Sequence, residues 1–375
     1  MKQIALYIHI PFCLKKCHYC DFNSYTSLEL IPKYLDALKR EICLYGNMGY
    51  SLKTIYIGGG TPTVLGEDQL QKLIDSVYAS FDVMDGAEFT VEANPGTLTR
   101  EKLIILKSMC VNRLSIGLQA YQDKLLKVMG RAHTVSDFEA NYDIARESGF
   151  DNINVDVIFG LPFQTIWDFT QTLEQLVKLS PEHISCYSLN IEKGTKFYYM
   201  LKNGILHMPS EREERQMYHQ GIQLLKQNGF LHYEISNFTK PGRFSRHNMV
   251  YWNTEQYLGL GAGAHSYIGT ERFYNHYSIE DYVKTALNCN SPIAGRYFVS
   301  SDDRQAEYCF MRLRLIDGID EESFCKRFGH EIGEIYKCQI NKLKKQGLIK
   351  EENRHIKLTA SGLDLANLVF AEFLP

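Results

Sequence analysis

The chain has 375 residues, 45% hydrophobic and 23% charged, with a formal net charge of −3. This composition belongs to a folded globular protein of two or three domains and excludes a disordered chain. The near-neutral balance also excludes the broad positive field that draws a protein to nucleic acid or to an anionic membrane.

No run approaches the ~18 uninterrupted apolar residues of a membrane-spanning helix. The opening ten residues, broken by Pro11, are too short and too polar for a signal peptide, and no lipidation signature is present. Over residues 1–195, short β-rich runs alternate with amphipathic ones. Strands are predicted at 4–10, 54–57, 88–92, 113–119, 152–159 and 183–191, and helices at 32–44, 67–81, 100–109, 135–148 and 167–179. The strand runs are almost continuously apolar and rich in Ile and Val, the pattern of parallel strands covered on both faces. Six strand–helix units predict an α/β fold, a partial six-stranded (β/α)6 barrel rather than a closed eight-stranded one.

Residues 196–300 read as an extension of the barrel. They hold a helix at 211–227, a strand at 233–238, a glycine-rich run at 258–264 and a tyrosine-rich stretch. From residue 301 the pattern becomes three helices (304–315, 321–327, 332–346), a hairpin (348–358) and a last helix (360–373). That is the plan of a smaller, mostly helical, winged-helix-like domain. Its 12 Lys/Arg against 13 Asp/Glu favour docking or a lid over binding to DNA.

The ten cysteines are unevenly placed. Cys13, Cys17 and Cys20 fall within eight residues, straight after the first predicted strand; Cys43, Cys110, Cys186, Cys289, Cys309, Cys325 and Cys338 are scattered. Scattered thiols without a signal peptide indicate a reducing, cytoplasmic setting, where clustered thiols are metal ligands or catalytic groups. A structural zinc ion wants four protein ligands, for which His9 and His18 are the candidates to complete the set. A [4Fe–4S] cluster needs one ligand per iron, so three cysteines leave one iron open. The ligand count favours the cluster over zinc and over unligated thiols.

Gly58-Gly59-Gly60-Thr61-Pro62 follows the second predicted strand, where bare backbone N–H groups can meet an anionic ligand. A tight strand–helix turn is the simpler explanation of those glycines taken alone. Glu92, Gln119 and Asp156 stand at or near the ends of later strands, and Arg131 follows in a loop. In a β/α barrel those ends face the ligand.

The Cys-x3-Cys-x2-Cys loop resembles the signature of the radical SAM superfamily, in which the open iron of a [4Fe–4S] cluster is chelated by S-adenosyl-L-methionine (SAM). Tyr7-Ile8-His9-Ile10-Pro11-Phe12-Cys13, Cys20-Asp21-Phe22, the Gly-Gly-Gly-Thr-Pro run and Glu92-Ala93-Asn94-Pro95-Gly96 are similar to the oxygen-independent coproporphyrinogen III oxidase family over nearly the whole chain. By position the resemblance implies SAM contacts at Tyr7, Tyr19, Gly59, Gly60, Thr61, Glu92, Gln119, Arg131 and Asp156, with Asn190 and His265 at positions of backbone contact. Two features depart from the oxidase. Phe22 stands where it has a fourth cysteine, and only twelve residues precede Cys13. Both departures, with His247-Asn248-Met249-Val250-Tyr251-Trp252, resemble the HemW-type haem-chaperone branch instead.

That branch implies haem as bound cargo, His247 as a haem ligand, a haem-acceptor protein that could lie at a membrane, and an electron donor for the cluster. It implies no nucleic acid and no coproporphyrinogen oxidase activity. The alternatives are the oxidase itself, which decarboxylates propionates to give protoporphyrinogen IX, and a metal-stabilised regulator acting through its C-terminal domain.

Overall fold

The computed structural model describes residues 2–288 and 291–374, so Cys289 lies outside the described residues. Strands β1 (Lys2–Ile10), β2 (Tyr50–Gly59), β3 (Asp82–Ala93), β4 (Arg113–Gln119), β5 (Ile153–Phe159) and β6 (His183–Ser188) lie side by side in chain order and are all parallel. Every residue of β4 is buried, so neither face can meet water and its apolar run is explained. Helices Ile31–Gly46, Glu67–Ser80, Arg100–Ser108, Val135–Glu147 and Ile166–Leu179 connect the strands. Local chemistry sets where several of them start. Thr134 with Asp137, and Thr165 with Asp168, form reciprocal capping boxes that satisfy the first free N–H groups.

Residues between 196 and 300 lengthen the sheet to twelve strands, at both edges. Strands β7 (Leu231–Glu234) and β8 (Asn237–Thr239) form an antiparallel hairpin that pairs through β8 with β6. The single strand expected at 233–238 is therefore two. The chain reverses at Ile235–Ser236, where the Glu234 carboxylate accepts from Ser236 N at 3.0 Å and from the Asn237 amide. On the other edge β9 (Tyr257–Leu260) runs parallel to β1, and β10 (His265–Ile268), β11 (Glu271–Asn275) and β12 (Ile293–Phe298) continue antiparallel. One apolar core runs from Ile4 through to Ala286. Two seven-residue helices, Asp123–Met129 and Lys196–Lys202, are too short to show as a periodicity in the sequence.

The last 75 residues carry their own core, from Tyr308 to Phe373. A small sheet in the order β13 (Ile319–Asp320), β15 (His355–Leu358), β14 (Ile349–Glu352) packs with helices Ser301–Arg312, Glu321–Phe328 and Lys337–Lys345. The continuous helix expected at 332–346 breaks at Tyr336 (φ −108°), and the one expected at 360–373 breaks at Leu365 (φ −116°). The domain is bolted to the barrel by backbone bonds Ile235 N to Arg314 O (3.1 Å) and Ile316 N to Tyr233 O (3.0 Å). Arg327 donates to the carbonyls of Asn253 (2.8 Å) and Thr254 (2.7 Å), and Arg314 lies 4.4 Å over the Trp252 ring.

Candidate metal and cofactor site

The cysteine loop and the C-terminal strand ends enclose a cavity of about 470 Å³. The loop after β1 is tied down at several points. Cys13 N donates to Tyr25 O and Tyr25 N to Pro11 O, while His18 N donates to Met129 O. The imidazole of His9 bridges Tyr7 Oη (2.9 Å) and Asn23 O (2.8 Å); that of His18 bridges Val128 O (2.9 Å) and Lys196 Nζ (3.0 Å). Both candidate fourth ligands are thus spent on holding the loop. Phe22, two residues beyond Cys20, is 64% exposed. Cys13, Cys17 and Cys20 line the cavity, and as placed no group of three His, Cys, Asp or Glu side chains among the described residues suits a single ion. The donor set therefore fits a multinuclear cluster with three protein ligands better than it fits zinc.

Two of the thiols are joined by a chain of hydrogen bonds. Thr61 Oγ1 donates to Cys13 Sγ (3.5 Å) and accepts from Asn94 Nδ2 (2.6 Å). Asn94 Oδ1 accepts from Arg131 Nη2 (2.5 Å), and Arg131 Nη1 donates to Cys17 Sγ (3.6 Å). Arg131 is further fixed by Gly117 O at 2.6 Å. Such outer contacts orient ligands and tune the group they hold.

The glycine run packs directly on the cysteine loop, with Gly60 N on Ile10 O (2.9 Å) and Thr61 N on Phe12 O (2.7 Å). Gly59 has φ +112°, and a Cβ there would lie 2.4 Å from His9 Nδ1, so only glycine fits. Deeper in the cavity, Glu92 accepts from Tyr56 Oη (2.6 Å) and Gly59 N (3.1 Å); burial raises its pKa to about 7, helped by nearby Asp156. Asp156 accepts from Ser115 Oγ (3.0 Å) and Asn154 Nδ2 (2.8 Å), and burial raises its carboxyl too. Gln119 sits at φ +75° where the register of β4 and β5 slips, a bulge that re-aims its side chain into the cavity.

Cys13, Cys17, Cys20, Tyr19, Gly59, Gly60, Glu92, Gln119, Arg131, Asp156 and Asn190 all line this one cavity. Thr61 stands behind the wall and reaches it through Cys13; Tyr7 stands behind it through His9 and through Tyr56, 6.2 Å away ring to ring. His265 lies outside it, exposed at the start of β10. His247 is buried and apart from it. Its Nδ1 meets Thr54 Oγ1 (2.9 Å), its Nε2 meets Tyr251 Oη (3.0 Å), and its ring lies 5.0 Å from that of Tyr56. The backbone N–H groups of Arg246 and His247 both donate to the Glu88 carboxylate, at 2.9 Å each. Asn94, Tyr56 and Ser115 were not singled out by the sequence reasoning. Asn94 was legible two residues beyond Glu92, and Ser115 as a polar residue between the apolar Leu114 and Ile116 of β4.

The barrel, the three-thiol loop and the polar strand ends define a radical SAM protein. A model of the radical SAM superfamily matches residues 7–176, and one of the HemN C-terminal domain matches 299–365. The chain is 41% identical to the heme chaperone HemW of Bacillus subtilis (99% of each chain covered). It is 32% identical to that of Escherichia coli K12 (100% of this chain, 99% of the other). Among solved structures it is similar to coproporphyrinogen III oxidase (HemN) from Escherichia coli, with a TM-score of 0.87 at 24% identity over 99% of this chain and 90% of that one. The chain belongs to the HemW family.

Proposed function

We propose that this protein binds haem and hands it to an acceptor protein in the cytoplasm, on a scaffold that carries a [4Fe–4S] cluster and SAM. The observation that carries the reading is the 41% identity, over 99% of both chains, to a protein named a heme chaperone. Three further features support it. The cavity offers three thiols, and the imidazoles of His9 and His18 are engaged in holding the loop. Phe22 occupies the position of the oxidase's fourth cysteine. The described cysteines are all unpaired, as in a reducing compartment.

In this reading Cys13, Cys17 and Cys20 hold the cluster. When bound, a cluster with one open iron supplies SAM chelation and a low-potential electron. The remaining residues bind and orient. The Gly59–Gly60 backbone admits SAM at close range, with Thr61 and Tyr19 beside it. The Arg131 guanidinium, fixed on Asn94 and Gly117, presents positive charge to a carboxylate. Glu92 and Asp156 accept from hydroxyl groups, and Gln119 is aimed at the same space by its backbone. Tyr7 supports this wall from behind. His247 would become a haem ligand only by giving up one of its two partners, Thr54 or Tyr251. The acceptor, which could lie at a membrane, and the electron donor are part of the proposal; no helix among the described residues is long and apolar enough to cross a membrane.

The test is anaerobic reconstitution with iron and sulfide, followed by titration with haem. About four irons per chain and saturable, stoichiometric haem uptake are expected; absence of haem uptake overturns the reading. The fold shared with the oxidase supports a second reading as coproporphyrinogen III oxidase. Sustained protoporphyrinogen formation from coproporphyrinogen III with SAM and a reductant would establish it instead.

A further inference from the structure

A separate pocket, of about 340 Å³, lies at the joint between the barrel and the C-terminal domain. It is at the opposite end of the sheet from the cysteine loop. Lys2 opens β1, Lys53 lies early in β2, and Thr254, Glu255 and Gln256 lead into β9. The C-terminal domain supplies Arg304, from helix Ser301–Arg312, and Arg327, from helix Glu321–Phe328.

Four cations thus line the pocket against one carboxylate, Glu255, in a chain whose net charge is −3. Glu255 is taken by Lys53, and Arg327 donates to the carbonyls of Asn253 and Thr254. Arg304 and Lys2 have neither a hydrogen bond nor an ion pair among the described residues, and Arg304 Nε is buried without an acceptor. Two neutral groups are left over as well. Thr254 is 6% exposed, yet its Oγ1 has no partner, and Gln256 Oε1 is buried and unpartnered too. Buried polar atoms without partners are destabilising, and like charges brought in from two domains repel across the joint. An anion seated between Arg304 and Thr254 relieves both.

A phosphoryl group matches these donors. A guanidinium offers it two parallel N–H bonds, an ammonium a point charge and a hydroxyl a third donor. Turning the Gln256 amide over presents its NH2 to the same space. We propose that this pocket binds a phosphoryl anion, as free phosphate or as a lipid headgroup, and that the bound anion ties the C-terminal domain to the barrel. The inference is independent of the haem-binding reading.

The experiment titrates inorganic phosphate into the full-length protein at constant ionic strength, following the melting temperature and the phosphorus NMR line. A second arm measures co-sedimentation with phosphatidylcholine vesicles, with and without added phosphatidic acid. A saturable rise in melting temperature that chloride does not give is expected, because a ligand of the folded state alone stabilises it. Affinity is expected to fall about 10-fold or more in Arg304→Gln, and less in Lys2→Gln. Saturation by phosphate identifies the free anion, and binding only to the phosphatidic acid vesicles identifies the headgroup. Saturation by neither probe, or an unchanged affinity in Arg304→Gln, overturns the assignment. Should circular dichroism show Arg304→Gln unfolded, Lys2→Gln decides, since Lys2 is exposed at the start of its strand; an unchanged affinity there overturns the assignment equally.

Discussion

The cysteine loop and the seam around helix Arg246–Trp252 are both prominent in the sequence, yet they are built on opposite principles. In the seam the groups at the start of the helix are matched: Glu88 takes two N–H groups and His247 has two hydroxyl partners, while the Trp252 ring lies under Arg314 with its Nε1–H unbonded. At the cavity the thiols have only long contacts to Thr61 and Arg131, and buried carboxyls are lifted above their ordinary range. Incomplete satisfaction inside a fold is costly unless something is bound there, whereas an imidazole matched at both nitrogens, as His247 is, marks a structural joint. A conspicuous motif therefore needs its partners counted before it is given a ligand.

Breaking the two regions separately sharpens the contrast. Cys17→Ala is expected to abolish cluster loading, read as iron and labile sulfide per chain, while the melting temperature of the apo-protein barely moves. Asn94→Ala leaves all three cysteines but cuts the chain from Thr61 to Arg131. Cluster affinity is expected to fall by about 10–100-fold, measured by competition with an iron chelator, as for other outer-contact losses. His247→Ala acts the other way round. It strands Thr54 and Tyr251 and is expected to cost about 1–3 kcal/mol of stability in thermal or denaturant unfolding, with cluster loading preserved.

The two regions also have opposite pH signatures in the apo-protein. Glu92 is raised from 4.5 to about 7 by burial, so between those values the unfolded chain releases a proton that the folded one keeps, and stability falls as pH rises. Glu92→Gln removes that loss, and its melting temperature is expected to climb relative to wild type between pH 4.5 and 7. His247 is lowered from 6.5 to about 3 by burial, so its stabilising contribution is lost as pH falls through that window. The smallest expected effect is that of Arg327→Ala. It removes an exposed bond to the Asn253 carbonyl and a partly buried one to that of Thr254 and should cost about 1 kcal/mol, visible as a small shift of the unfolding midpoint.

What could be read in advance follows the range of the forces involved. The six strand–helix units and the cysteine spacing are local patterns, set by hydrophobic period and by ligand count within a few residues, and the parallel barrel core follows from them. Splitting of the 233–238 strand depended on a buried carboxylate turning the chain back at Ser236, which no periodicity reports. Asn94 was visible as a residue beside Glu92, but not as the link between two thiols, because its partners Thr61 and Arg131 lie 33 and 37 positions away in the chain.

By itself, the sequence determined the βα alternation, the three-cysteine loop, the glycine run against it and the separate C-terminal core, each encoded in short-range spacing. The tertiary structure alone decided that residues 196–300 would sheathe both sheet edges, that Gln119 would turn inward at positive φ, and that His247 would be sealed while His265 stayed open. The physical reason is that edge pairing, burial and hydrogen-bond partnership join residues as far apart as Thr54 and His247, 193 positions along the chain, and such contacts exist only once the chain has closed on itself.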